Sequence, residues 1–248
     1  MTAGGAGRDR PAESSTSSFA GFPAEAFEFY EQLAADPTKS WWEAHKAIYL
    51  RAVREPLAGL GAALADEFGP PKLFRPYRDV RFSKDKTPYK DHQGMYVEAC
   101  GGDAAEASGL GWYVQVSAGG LMVAGGWYQS SPDQVARYRA ALATAAPAER
   151  LAGLVQALTD EGLTLGGDRL KSRPRGVPAD HPNVEWLRFR TMYVERRWEP
   201  AAWMGTPDAS DQVRRQWRAM RPLMDWLAEV VGPGDPAHAG KTGGQDGL

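Results

Sequence analysis

Residues 112–127 constrain the fold more than any other stretch of this chain. Apolar and polar side chains alternate through the run Trp-Tyr-Val-Gln-Val-Ser at 112–117, which is the period of a strand with one buried face. Ala118-Gly119-Gly120 then supplies a turn, and residues 121–127 form a second apolar run. A tight turn between two such runs predicts an antiparallel hairpin. The fold must therefore contain a sheet.

Segments with helical periodicity lie on both sides of this hairpin. Apolar residues recur three and four positions apart, as in amphipathic helices, in residues 23–36, 40–68, 132–142, 147–158 and 208–231. Pro56 predicts a kink in the second helix and Pro222 a kink in the last. Ser131-Pro132 followed by Gln134 is a helix start of the capping-box type.

Shorter runs at 95–100, 163–165 and 187–195 are predicted as further strands, with a helix as the alternative for 187–195. The order of helices, antiparallel meander and helices predicts an α+β fold in one domain over residues 19–232. Residues 1–18 and 233–248 are rich in small and polar residues and are predicted to be flexible tails.

Composition limits the classes of function. The sequence pI is about 6.1, which argues against coating nucleic acid through bulk charge. The single cysteine, Cys100, excludes an intrachain disulfide and a multi-cysteine metal site and predicts a reducing, cytoplasmic setting. Without an 18-residue apolar run, no membrane span is expected.

Charge is unevenly distributed along the chain. Residues 72–94 hold seven cations and three acids, and residues 171–197 hold the same numbers, in a protein whose formal net charge is −2. We call these stretches the first and second basic zones. If they meet in space, they form one positive face that suits an anionic ligand.

The basic zones supply the candidate ligand-binding residues, which are Arg75, Arg78, Arg81, Lys84, Lys86, Lys90, His92, Lys171, Arg173 and Arg190. Each arginine either makes bidentate hydrogen bonds to a ligand phosphate or carboxylate or forms an ion pair within the protein, for example with Asp79 or Asp85. His92 is either a general acid or base or a hydrogen-bonded structural residue. The acids of the first zone cannot neutralise all of its cations.

Other site chemistries have no signature in this sequence. The four histidines show no metal-ligand spacing, and no phosphate loop or G-x-G-x-x-G follows a predicted strand. No cofactor or metal is therefore predicted, although the fold could still assemble carboxylates into a magnesium site.

One stretch of the first zone, RPYRDVRFSKDKTPYKDH, resembles the signature of the bacterial family catalogued as domain of unknown function 2461. The elements WWEAHKAIY, YVQVSAGGLMVAGGWY and FRTMYVERRW match that family's order as well. The resemblance covers residues 19–232 and implies a cytosolic α+β domain. It brings no catalytic or binding residue with it.

Three functions remain open at this stage. In the first, the basic zones form a cleft that binds a small phosphorylated or carboxylated molecule, with or without catalysis on it. In the second they bind single-stranded nucleic acid or RNA, and in the third they dock an acidic protein. For nucleic acid, Tyr77, Phe82 and Tyr89 would be the stacking partners. The first function is preferred, because a net acidic protein opposes long polyanions while a local positive charge suits a short one.

Overall fold

An antiparallel sheet of six strands organises the fold, which is α+β in one domain. The computed structural model describes residues 19–79, 81, 86–99 and 108–235, so the predicted tail 1–18 and most of the tail 233–248 lie outside it. The strand order is β1-β2-β3-β4-β6-β5, and every neighbouring pair is antiparallel. The strands are β1 (Pro71–Leu73), β2 (His92–Glu98), β3 (Leu110–Ser117), β4 (Gly120–Trp127), β5 (Thr164–Gly166) and β6 (Met192–Trp198).

The hairpin predicted from residues 112–127 is the centre of this sheet. Ser117 pairs with Gly120 across the turn. Gly120 has a φ of +101°, and a Cβ atom there would lie 2.1 Å from the carbonyl oxygen of Trp198. Only glycine fits such a position, so this residue allows β6 to pair closely beside the turn.

Helices precede and follow the four-stranded meander. In chain order they are α1 (Glu25–Ala35), α2 (Lys39–Ile48), a π-helix (Tyr49–Arg54), α3 (Glu55–Phe68), α4 (Pro132–Leu142), α5 (Ala145–Asp160), α6 (Val184–Leu187), a 3₁₀ turn (Ala202–Gly205) and α7 (Asp208–Val231). The break expected at Pro56 takes the form of the π-helix, in which Glu55 N–H bonds to the Leu50 carbonyl five residues back. The wider turn accommodates a proline whose ring would crowd the preceding carbonyls.

Residues 187–195, predicted as a strand with helix as the alternative, contain the end of a short helix and the start of a strand. Residues 184–187 form α6, with the Leu187 N–H bonded to the Asn183 carbonyl, and the strand runs later, over β6. Arg188 explains why the chain is not extended there. Its guanidinium donates to the carbonyls of Leu170 and Lys171, which holds the chain against a loop before β6 begins.

The two faces of the sheet differ in character. One face carries the side chains of Trp112, Val114 and Val116, and it packs under α1, α3 and α7 in the main hydrophobic core. The other face holds a smaller apolar cluster, in which Tyr113 and Met122 are buried with Ala124. We call these the core face and the second face.

None of the helices in the described ranges combines the length and the apolar composition that crossing a bilayer requires.

Candidate functional site

A cleft of about 340 Å³ opens on the second face, at the end of the sheet where β2 begins and β3 ends. Its lining is almost entirely polar and includes three cations and one carboxylate. The lining residues are Arg78, Lys90, Asp91, His92, Gln115, Ser117 and Arg197. We call it the basic cleft.

Strand register places four of these side chains together. His92, the first residue of β2, pairs with Ser117, the last residue of β3. Gln115 lies two residues before Ser117 and therefore on the same face. Met122 pairs with Gln115 on one side and with Arg197 on the other. The floor of the cleft is thus fixed by backbone pairing rather than by a loop.

Arg78 and Lys90, from residues 74–79 and 86–91, supply the cationic wall of the cleft. The Arg78 N–H bonds to the Pro88 carbonyl at 3.0 Å, and the Lys90 N–H bonds to the Pro76 carbonyl at 2.8 Å. These bonds join residues 76–78 to residues 88–90. Tyr89 anchors it, because its ring stacks on Trp42 with a centroid separation of 4.3 Å.

Lys90 is the most unusual cation of the cleft, because only 6% of its surface is exposed. Its ammonium lies 5.5 Å from the centre of the Phe74 ring, at cation–π distance. Lysine is almost never buried without stabilising contacts. Lys90 is therefore a cation held in place in the wall of the cleft.

Asp91 and His92 form a hydrogen-bonded pair, with Asp91 Oδ1 at 2.8 Å from His92 Nδ1. This bond and the charges of His92 and Arg78 lower the pKa of Asp91 to about 2. An ionised carboxylate only accepts hydrogen bonds. His92 Nδ1 therefore carries the proton that bonds to Asp91, and Nε2 is the nitrogen left for other chemistry.

Gln115 adds a neutral donor to the floor. The Tyr113 hydroxyl donates to Gln115 Oε1 at 2.9 Å, and burial raises the pKa of Tyr113 above its ordinary value, so the phenol keeps its proton. This bond orients the amide. Gln115 is only 6% exposed, and within the described part of the chain its Nε2 has no hydrogen-bond partner.

Arg197 is the contribution of the second zone. Its Nε lies 2.9 Å from Glu195 Oε1, and 60% of its side chain is exposed. Arginine has five N–H donors, so the bond to Glu195 leaves others for a ligand.

The remaining candidates of the first zone lie outside the cleft lining. Arg75 and Lys86 are exposed, and Lys84 falls outside the described residues. Arg81 makes a two-pronged ion pair with Asp79, through Nε at 2.9 Å and Nη2 at 2.6 Å.

The candidates of the second zone lie towards the other end of the sheet. Arg190 precedes β6 and pairs with Asp168, roughly 23 Å along the extended chain from Arg197. Arg173 donates to the Val177 carbonyl, and the Lys171 carbonyl accepts from Arg188. Among the described residues of the second zone, Arg197 is the one that lines the cleft beside the first zone.

Sequence reasoning did not select Asp91, Gln115, Ser117 or Arg197 as site residues. The sequence did contain one indication of this site, because Gln115 and Ser117 are polar residues that alternate with the core residues of β3 and so lie on its other face. Among residues 19–79, 81, 86–99 and 108–235, no three His, Cys, Asp or Glu side chains come together as a metal ion would need.

Comparison with known families identifies the chain. Residues 25–226, most of its length, match the family described as conserved hypothetical protein (DUF2461), and the chain belongs to that family. A search of curated proteins finds no match.

Proposed function

We propose that this member of the DUF2461 family binds a small phosphorylated or carboxylated molecule in the basic cleft. The observation that carries the proposal is the buried Lys90, which lines one cleft together with Arg78 and Arg197. Arg78 and Lys90 from one segment and Arg197 from β6 line this space together with one carboxylate, Asp91, which is bonded to His92 and lies 3.6 Å from Arg78 Nη2.

The neutral groups of the cleft support an oxyanion as the ligand. The Gln115 side chain lines the cleft and its oxygen is already bonded to Tyr113, so its Nε2 is a donor that a bound oxyanion can use. Ser117 and His92 add further polar groups beside it. Charged and neutral donors that line one cleft are an arrangement that proteins use for phosphate and carboxylate groups.

The size of the cleft favours a small molecule over a polymer. Its volume of about 340 Å³ lies at the lower end of the range for small-molecule pockets. Of the rings considered for base stacking, Tyr89 is buried against Trp42, and Phe82 lies outside the described residues. Tyr77 is 43% exposed, and a single ring is a short stacking platform.

Thermal unfolding with added anions tests the proposal. Inorganic phosphate, sulfate, short dicarboxylates and short oligonucleotides serve as probes. A probe at a hundred times its dissociation constant should stabilise the protein by about 2.7 kcal/mol. An oligonucleotide that stabilises the protein more than phosphate does would favour the nucleic-acid alternative.

Cation variants locate the site. Lys90→Met and Arg197→Gln should each weaken phosphate binding, because each removes a charge-assisted contact worth about 1.5–3 kcal/mol. Arg190→Gln is the matched control, since Arg190 belongs to the same zone but lies near the other end of β6. Phosphate binding that falls equally in Arg190→Gln and Arg197→Gln would reject the cleft.

The proposal includes a reducing, cytoplasmic setting, for which the single cysteine, Cys100, is the support.

A further inference from the structure

Three residues of the basic cleft lie in the order that nucleophilic catalysis uses. Asp91 holds His92 Nδ1 at 2.8 Å, and His92 is the cross-strand partner of Ser117. Directly opposed side chains of an antiparallel pair have Cβ atoms about 4.5–5.5 Å apart. Both His92 and Ser117 line the cleft, so the imidazole and the hydroxyl face the same space.

We propose that Ser117 is the nucleophile, His92 the general base and Asp91 the positioning carboxylate of a phosphomonoester hydrolase. This proposal rests on the proposed function, because the substrate is the anion bound in the basic cleft. A serine, a base and a group that orients the base form the general pattern of an activated nucleophile. That pattern is recognised by geometry and not by sequence order.

The position of the cations selects phosphate as the reacting group. Lys90, Arg197 and Gln115 line the same cleft as Ser117, so the anionic group that they bind lies beside the hydroxyl. A phosphoryl group is both anionic and electrophilic. A carboxylate is anionic but does not accept a nucleophile readily, so a carboxylate bound there would not react.

The reaction has two balanced steps. In the first, Ser117 Oγ attacks phosphorus and gives its proton to His92 Nε2. The bond between phosphorus and the ester oxygen breaks, and the imidazolium protonates that oxygen, so that an alcohol leaves. In the second, water attacks the phosphoserine and gives a proton to Nε2. The bond from phosphorus to Oγ breaks, Ser117 recovers the proton, and inorganic phosphate leaves.

The cations and the amide stabilise the charge on the non-bridging oxygens during both steps. Lys90 is buried and Gln115 is oriented by Tyr113, so neither needs to reorganise when charge develops. The bond from Asp91 keeps the proton on His92 Nδ1, which leaves Nε2 free to accept the proton of the nucleophile.

The full chain assayed with p-nitrophenyl phosphate tests the proposal. The parent should release nitrophenol and, after acid quench, carry phosphate on Ser117 by mass spectrometry. Ser117→Ala and His92→Asn should each lower kcat by about 10²-fold or more. Ser172→Ala, in an exposed loop outside the cleft lining, should match the parent.

Asp91 needs a separate readout because it positions another group. Asp91→Asn should lower kcat without raising KM, since it removes no cation from the cleft and ends the ion pair of Asp91 with Arg78, while the imidazole tautomer is no longer fixed. A raised KM with unchanged kcat would overturn the role given to Asp91.

Phosphate binding separates the two proposals and controls for folding. Ser117→Ala that still binds inorganic phosphate is folded, and turnover that survives in it overturns the nucleophile. A parent that binds phosphate but neither hydrolyses the ester nor becomes phosphorylated overturns this inference alone. A parent that does not bind phosphate overturns the proposed function as well.

Discussion

Two buried glutamines on neighbouring strands show how the faces of the sheet differ. Gln93, on the core face of β2, is fully bonded: its Oε1 accepts from the Tyr49 hydroxyl at 2.7 Å, and its Nε2 donates to the carbonyls of Phe74 and Gly94. Gln115, on the second face of β3, has a bonded oxygen and a nitrogen without a partner in the described chain.

The difference separates a structural amide from one available to a ligand. Gln115 borders the cleft, so water or a ligand can make the hydrogen bond that its Nε2 lacks within the protein. In the described part of the chain the main core also holds buried groups without a hydrogen-bond partner, such as Trp127 Nε1 and Trp217 Nε1, but these do not line the cleft.

Of the substitutions predicted here, one on the core face should lower the stability of the protein most. Trp217 is fully buried beneath it, between the rings of Phe68 and Trp112. Trp217→Ala should lower the free energy of unfolding by about 3–5 kcal/mol, measured by chemical denaturation. A nearly neutral result would mean that α7 does not pack on the sheet through this face.

Gln93→Met should have the next largest effect. It leaves the Tyr49 hydroxyl without its acceptor and the Phe74 carbonyl without a donor, at a cost of about 1–3 kcal/mol. Phosphate affinity, measured by calorimetry, should not change, because Gln93 points away from the cleft. A large loss of affinity in this variant would show that the two faces are not independent.

Gln115→Met should give the reverse pattern. Stability should fall by about 1 kcal/mol, the lower end of the range for a buried group that loses its partner, since only the Tyr113 hydroxyl is affected. Phosphate affinity should fall by up to about tenfold, which corresponds to one hydrogen bond to the ligand. If Gln115→Met binds phosphate as tightly as the parent, the unpartnered amide is not part of the site.

The fold could be predicted from local patterns to a large extent. The alternation at 112–117 and the Ala118-Gly119 turn predicted the central hairpin, and Ser131 with Gln134 predicted the start of α4, where Gln134 Oε1 accepts from the Ser131 N–H at 3.0 Å. These patterns involve only a few neighbouring residues, so they can be recognised without knowledge of the tertiary structure.

The site depended on contacts that sequence spacing does not contain. Arg78, Lys90 and His92 were selected from their charge, but Ser117 is 25 positions from His92 and meets it only through the β2–β3 register. Arg190 and Arg197 have the same charge, and only the direction of β6 decides which one reaches the cleft. The strand at 187–195 was misplaced because the interactions of Arg188 with a distant loop override local alternation.

The smallest expected effect is the pH-dependent contribution of the Asp91–His92 pair to the free energy of unfolding. The pKa of Asp91 in the folded protein is about 2, below its ordinary value of 3.8. The unfolded chain therefore binds a proton first as pH falls, and the stabilisation is present above about pH 4 and is lost as pH falls towards 2. Because 70% of the Asp91 side chain is exposed, solvent screens the interaction, and the gain should be less than about 1 kcal/mol.

Denaturation of the parent and of Asp91→Asn at roughly pH 5 and pH 2.5 measures this difference directly. The parent should be the more stable at the higher pH, and the gap should narrow at the lower pH as the parent carboxylate gains its proton. The exposed Asp180→Asn is the matched control and should show no such narrowing. A constant gap across this range would mean that Asp91 is not held ionised by His92, and the proposed mechanism would then lack the contact that fixes the imidazole tautomer.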